Sequence, residues 1–351
     1  MPDPFFFAGK IANVDQFVGR QPELKKIFGY LNTSNTGQIQ HVSVVGERRI
    51  GKSSLLYHLN QVYKQNLPAS GKYRFVYVDL DKPQCHTQAG LLRFLLEQLS
   101  LPIPKKLSLE TFYELIEQEH ENHGLWPVFL LDEFEHLPQR KAEFPDGFYE
   151  TLRSLGNNNI AGLVTASQHS LQALAEQGKL TSPFFNIFHQ LDLKEFSASE
   201  ASLLLERGRN CDHPFSTADC EEILKIAGRR PARLQVVASL AYEAKASGAT
   251  TDWKVIKAEA IKQAPFGNHG NAAVNKTNWL LVPFKWLLWR VPQYIGHTIL
   301  VVIGRGEQTN ETTDRLIGYL ALILILGLLA GLIPWPLVTK FINRLSQLFF
   351  Q

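Results

Sequence analysis

One short stretch, Gly46–Ser54 (GERRIGKSS), restricts the fold of this 351-residue chain more than any other. Gly46, Gly51, Lys52 and Ser53 satisfy the spacing G-x-x-x-x-G-K-[ST]. Ahead of it runs HVSVVG (41–46), apolar and rich in β-branched residues; behind it runs SSLLYHLNQVY (53–63), amphipathic with a helical period. A strand that passes through a glycine loop into a helix N-terminus gathers backbone N–H groups around one point. That arrangement is suited to phosphate.

The surrounding pattern repeats the theme. Apolar runs at 74–80 (RFVYVDL), 127–132 (PVFLLD), 161–166 (AGLVTA) and, more weakly, 188–193 (FHQLDL) alternate with helical patterns near 88–100, 108–121 and 145–156. Nearly continuous apolar strands separated by helices predict an α/β fold, a P-loop NTPase parallel sheet covered by helices on both faces. Ligands of such sheets bind at the carboxyl ends of the strands.

From 197 the strand signal stops. Helical patterns at 197–207, 216–227, 231–247 and 252–263 follow, the first opened by Ser197 with Glu200 in capping-box spacing. The expected organisation is therefore a nucleotide-binding α/β domain over 1–196 and a small all-α lid domain over 197–264. Residues 265–278, rich in Gly, Asn and Ala, read as a linker.

Beyond the linker the composition changes. Residues 316–338 contain no charged side chain and are long enough to cross a hydrocarbon core of about 30 Å, so a transmembrane helix is expected there. The stretch 279–303 is apolar and rich in Trp but carries Lys285, Arg290 and His297, and reads as interfacial or transmembrane. The N-terminus lacks a basic leader followed by an apolar run, which predicts that the nucleotide-binding domain stays on the cytoplasmic side of a cell membrane.

A net charge of +3 is too small to predict nucleic-acid binding by bulk electrostatics, although local patches stay open. Cys85, Cys211 and Cys220, odd in number and widely spaced, form neither a disulfide framework nor a metal-ligand pattern.

In a phosphate loop, Gly46, Glu47, Arg48, Arg49, Ile50, Gly51, Lys52, Ser53 and Ser54 surround the ligand. Lys52 would reach the β and γ phosphates and the Ser53 hydroxyl would bind Mg²⁺. Arg48 and Arg49, in variable positions, also fit solvent-facing charge or a salt bridge. Such a loop needs a second metal-side group and a means of activating water. Asp132 and Glu133 end the third strand in VFLLDEFE; Asp132 would hold Mg²⁺ and Glu133 would orient or deprotonate the water. At the end of the fourth strand, Thr165, Ser167 and Gln168 could sense a γ-phosphate, with Ser167 the preferred sensor.

Taken in order, FVGRQPEL (17–24), GERRIGKSSLL (46–56), LLDEFE (130–135), TASQHSL (165–171) and GRRP (228–231) resemble the STAND and origin-recognition-like branch of the AAA+ ATPases over roughly residues 10–265. The resemblance implies ATP and Mg²⁺ as ligands, Val18, Gly19 and Arg20 near the adenine, and Pro231 closing the nucleotide from the lid. It also implies that Arg153, otherwise a surface arginine, could act on a neighbouring copy's γ-phosphate in a homo-oligomer. The functional expectation is a membrane-tethered, ATP-hydrolysing switch, possible in signalling or defence. Its alternatives are a nucleic-acid-associated ATPase and an ATP-binding membrane scaffold without turnover.

Overall fold

Five strands, β1 (His41–Val45), β2 (Tyr73–Asp79), β3 (Trp126–Asp132), β4 (Gly162–Ser167) and β5 (Phe188–Asp192), pair in parallel in the order β2-β3-β4-β1-β5. The computed structural model describes residues 3–5, 9–33, 37–248 and 251–263. Alternation across β3 explains its unbroken apolar run: Phe129 and Leu131 enter one core, while Val128 and Leu130 enter the other. β4 does the same with Leu163 and Val164. The weakly signalled strand at 188–193 is β5 at one edge of the sheet, where only Leu191 is buried and the exposed His189, Gln190 and Asp192 dilute the apolar pattern.

Helices α1 (Gln21–Leu31) and α2 (Lys52–Asn66) contribute Leu24, Ile27, Leu55 and Leu59 to the core on one side. The other core takes Leu92 and Leu96 of α3 (Gln88–Leu99), Phe112 and Ile116 of α4 (Leu109–His123) and Leu137 of the short α5 (His136–Gln139). It also takes Phe148 and Leu152 of α6 (Asp146–Asn157) and Leu171 of α7 (Leu171–Gly178). Both α5 and α7 were silent in the periodicity because each spans too few turns to show a stripe.

A helical bundle follows: α8 (Ala198–Leu205), α9 (Thr217–Ala227), α10 (Pro231–Ala246) and α11 (Trp253–Gln263). Its core joins Leu204, Ile223, Leu234, Val237 and Ile256. The capping box opening α8 is formed as its spacing predicts, with Ser197 and Glu200 satisfying each other's backbone N–H groups. Phe5, from the opposite end of the chain, is buried in this bundle and stacks on Phe215 at 5.5 Å. Burying it contributes about 2 kcal/mol. The boundary expected at 196/197 falls on the Ser197 cap, yet residues 1–266 form one compact unit. The N-terminal residues join sheet and bundle because their aromatic anchor lies in the bundle.

Among the described residues no helix is long and apolar enough to cross a membrane. The linker expected at 265–278 and the membrane segments expected at 279–303 and 316–338 lie outside the described residues.

Candidate nucleotide-binding site

The root of the glycine loop is pinned by backbone. Gly46 N–H donates to the Ser167 carbonyl (3.1 Å) and Leu193 N–H donates to the Val45 carbonyl (2.7 Å), so the loop leaves the sheet between the ends of β4 and β5. Gly51 then caps α2 with φ +103°, a conformation L side chains rarely adopt. A Cβ there would meet nothing within 4 Å, so backbone conformation rather than space demands glycine.

Lys52, the first residue of α2, is buried, and its Nζ donates to the carbonyls of Gly46 (2.8 Å) and Glu47 (3.0 Å). Burial lowers its pKa, while Glu133, Glu135 and Asp132 oppose that. The ammonium thus folds over its own loop, amid three acids.

Asp132 ends β3 almost without solvent contact. Its Oδ2 accepts the Tyr77 hydroxyl at 2.7 Å, and the neighbouring Ser53 hydroxyl also favours its charged form. Burial pushes its pKa up against these hydrogen bonds. Ser53 and Asp132 offer a hydroxyl and a carboxylate, hard oxygen donors of the kind Mg²⁺ takes. Among the described residues no group of three or more His, Cys, Asp or Glu could hold a metal ion.

Glu133 adopts φ +55°, costing about 1–3 kcal/mol for a non-glycine residue. Burial, Glu135 and Asp132 raise its pKa, with Lys52 and Arg48 opposing. A carboxylate pushed upward is the better base.

Lys52, Ser53 and Glu133 line a cleft of 510 Å³ between loop, N-terminal segment and helical bundle. Of the expected residues, Val18, Arg20, Arg48, Arg49, Ile50, Gly51, Lys52, Ser53, Ser54, Glu133 and Pro231 line it. Pro231 also starts α10, so its roles as first helical residue and as cleft wall coincide.

Several expected residues do other work. Arg20 is 3% exposed; its guanidinium donates to the Ile50 carbonyl (3.0 Å) and to Glu23 (3.3 Å) and stacks over Phe196. It lines the cleft while bracing the loop at Ile50. Gly19 holds φ +73°, and a Cβ on it would stand 2.7 Å from Glu200 Oε1, so it makes room for the lid rather than lining the cleft. Arg49 donates to the Gln263 carbonyl at 3.2 Å, and Glu47 turns its carboxylate to Arg230 at 2.5 Å.

Ser167 is not brought to the cleft. Its hydroxyl is fully buried and donates to the His169 carbonyl at 2.7 Å, because the turn after β4 folds back on it. The neighbouring Gln168 is held through its N–H by Glu135 at 3.3 Å. Arg153 lies on α6, away from the cleft, with its Nε buried and without a partner among the described residues.

Four contributors escaped sequence reasoning. Tyr77 read as one more apolar strand residue, and Lys10 carried no signal at all. Glu200 was visible only as a cap. Arg230, inside GRRP, pairs with both Glu47 and Glu195 (3.0 Å), linking lid to loop.

Comparison with known proteins bears on the fold that holds this site. Residues 36–174 match the family model described as AAA domain. Over those residues the chain is similar to an AAA domain. Among curated protein sequences, none matches the chain significantly. Solved structures share the fold: the Walker-type ATPase of Pyrococcus abyssi (TM-score 0.57, 16% identity, 98% of this chain and 93% of that one) and the Aeropyrum pernix ORC2 protein in ADPNP and ADP complexes (0.57, 16%, 98% and 89%). Cdc6p from Pyrobaculum aerophilum is similar to the same degree (0.55, 15%, 98% and 89%). At these identities the likeness establishes the α/β P-loop fold.

Proposed function

We propose that this protein binds Mg-ATP and hydrolyses it to ADP and phosphate, acting as a two-state switch. The observation that carries the reading is the convergence on one cleft of Lys52, Ser53 and Glu133, with Asp132 next to Glu133 at the end of β3. Mg²⁺ held at Ser53 and Asp132 would neutralise charge developing on the phosphates. Lys52 exchanges the Gly46 and Glu47 carbonyls for phosphate oxygens. Glu133 orients or deprotonates the attacking water. Pro231 of the lid and Val18 of the N-terminal segment wall the cleft, so nucleotide and lid position are coupled, as a switch requires.

The test is ATP turnover by the purified full chain, with and without Mg²⁺. Absent phosphate release with intact ATP binding would leave the non-hydrolysing scaffold instead. A second reading, an ATPase working on nucleic acid, draws on the fold neighbour described as the Aeropyrum pernix ORC1 protein in complex with DNA, at TM-score 0.52 and 16% identity. Turnover that rises on added duplex DNA would favour it.

The proposal extends to a membrane tether through 316–338, since that stretch is free of charge. With 279–303 as a second span, Lys340 and Arg344 share the cytoplasmic side with the nucleotide domain, as positive charges prefer. Cysteine labelling at Thr309 and Gln351 in intact cells tests the hairpin, which requires Thr309 accessible and Gln351 protected. Arg153, off the cleft, fits a role only toward the nucleotide of a neighbouring copy.

A further inference from the structure

We propose that Lys10 binds the polyphosphate of the nucleotide, and that the N-terminal segment carrying it ties this charge to the lid; the inference rests on the nucleotide reading above. Lys10 lines the cleft together with Lys52, Ser53 and Glu133. Its Nζ lies 4.2 Å from the centre of the Tyr77 ring and 4.9 Å from that of Tyr57. Tyr77 in turn donates to Asp132, and the Ile11 N–H donates to Ser54 Oγ at 3.0 Å. One ring beside the ammonium and the backbone of the next residue are therefore tied to groups expected at the metal and phosphate end of the cleft.

Ring faces hold a cation without neutralising it. Among the described residues Lys10 forms no ion pair, and the acids that act on it, Asp79 and Asp132, do so through space. Partial burial already lowers its pKa, so the charge is incompletely solvated. A half-buried cation without a counter-ion, beside a loop shaped for phosphate, is complemented by an anion. In this cleft that anion is a phosphate oxygen of the bound nucleotide.

The lid holds the segment on both sides of Lys10. Asp3 accepts the hydroxyl of Ser239 on α10, Phe5 is buried against Phe215, and the Gln16 carbonyl accepts Arg207. Movement of the lid must shift Lys10, which puts one phosphate contact under lid control.

The experiment compares Mg-ATP and adenosine binding to the full-length wild type, Lys10→Met, Lys10→Arg and Lys52→Ala. Adenosine presents base and ribose but no phosphate. Lys10→Met should weaken Mg-ATP by about tenfold or more, as expected for losing one charge-assisted hydrogen bond, and leave adenosine within about twofold. Lys10→Arg should restore most of the affinity. Equal losses for adenosine and Mg-ATP would overturn the proposal in favour of a purely steric segment. Unchanged Mg-ATP binding in Lys10→Met, with binding lost in Lys52→Ala, would overturn the Lys10 assignment alone. Wild-type Mg-ATP binding in Lys52→Ala would overturn the nucleotide reading and this proposal with it.

Discussion

Glu200, on the first helix of the lid, accepts the backbone N–H of Arg20 at 2.6 Å, across 180 residues of sequence. Its other oxygen accepts the Ser197 N–H at 2.7 Å, so one carboxylate caps α8 and clamps the segment leading into α1. Although burial pushes its pKa up, the N–H donors of Arg20 and Ser197 hold it below the usual glutamate value.

Removing this clamp should loosen the lid. Glu200→Ala is expected to cost about 1–2 kcal/mol, the loss of a cap plus a screened charge-assisted hydrogen bond. Glu200→Gln, which keeps an acceptor, should cost less. Because the folded pKa is depressed, the carboxylate's contribution is full above 4.5 and is lost as pH falls through the lower folded value. Urea denaturation of both variants at neutral and acid pH checks this.

For the chemistry, Glu133→Gln should keep Mg-ATP affinity and lower kcat by about 10²–10⁴, since it removes the base while leaving Asp132 and Ser53 in place. Lys52→Ala should lose binding and turnover together. Single-turnover phosphate release and calorimetric binding separate the two. Turnover in Glu133→Gln within about twofold of wild type would assign water activation to another residue.

Arg230 joins the lid to the loop through Glu47 (2.5 Å) and Glu195 (3.0 Å). Arg230 itself is 9% exposed, but both partners reach solvent, so each pair is worth about 1 kcal/mol or less. A double-mutant cycle of Arg230→Met and Glu47→Gln should return a coupling of that size in ligand-free protein. No coupling would mean that the contact orders side chains without stabilising lid closure.

His41 should set part of the acid sensitivity of the sheet. Its Nδ1 accepts the Leu163 N–H (3.2 Å), its other nitrogen bonds Gly156, and burial lowers its pKa to about 4, with His189 adding to the effect. The folded state thus holds the neutral ring. Its contribution is full above 6.5 and is lost as pH falls from 6.5 to about 4, an effect of about 3 kcal/mol by linkage. Denaturation midpoints across that range should fall in the wild type and flatten in His41→Gln.

Local pattern determined a great deal of this protein. The glycine loop and the acids ending β3 are contiguous in sequence, and the spacing of such residues is itself the geometry of their turn or strand end. Strands β1 to β4 were legible because burial on both faces leaves an unbroken apolar run, and α8 because its cap lies within one turn. What only tertiary structure decided depends on packing between distant segments. Arg20 enters the cleft wall with its guanidinium already engaged, because Phe196 and the Ile50 carbonyl take it. Ser167 turns from the cleft because the following turn offers its hydroxyl the His169 carbonyl. Lys10 reaches the cleft because Phe5 anchors the N-terminal segment in the lid. Periodicity records which face of an element is buried; which partner completes a polar group is chosen by whatever chain the fold brings against it.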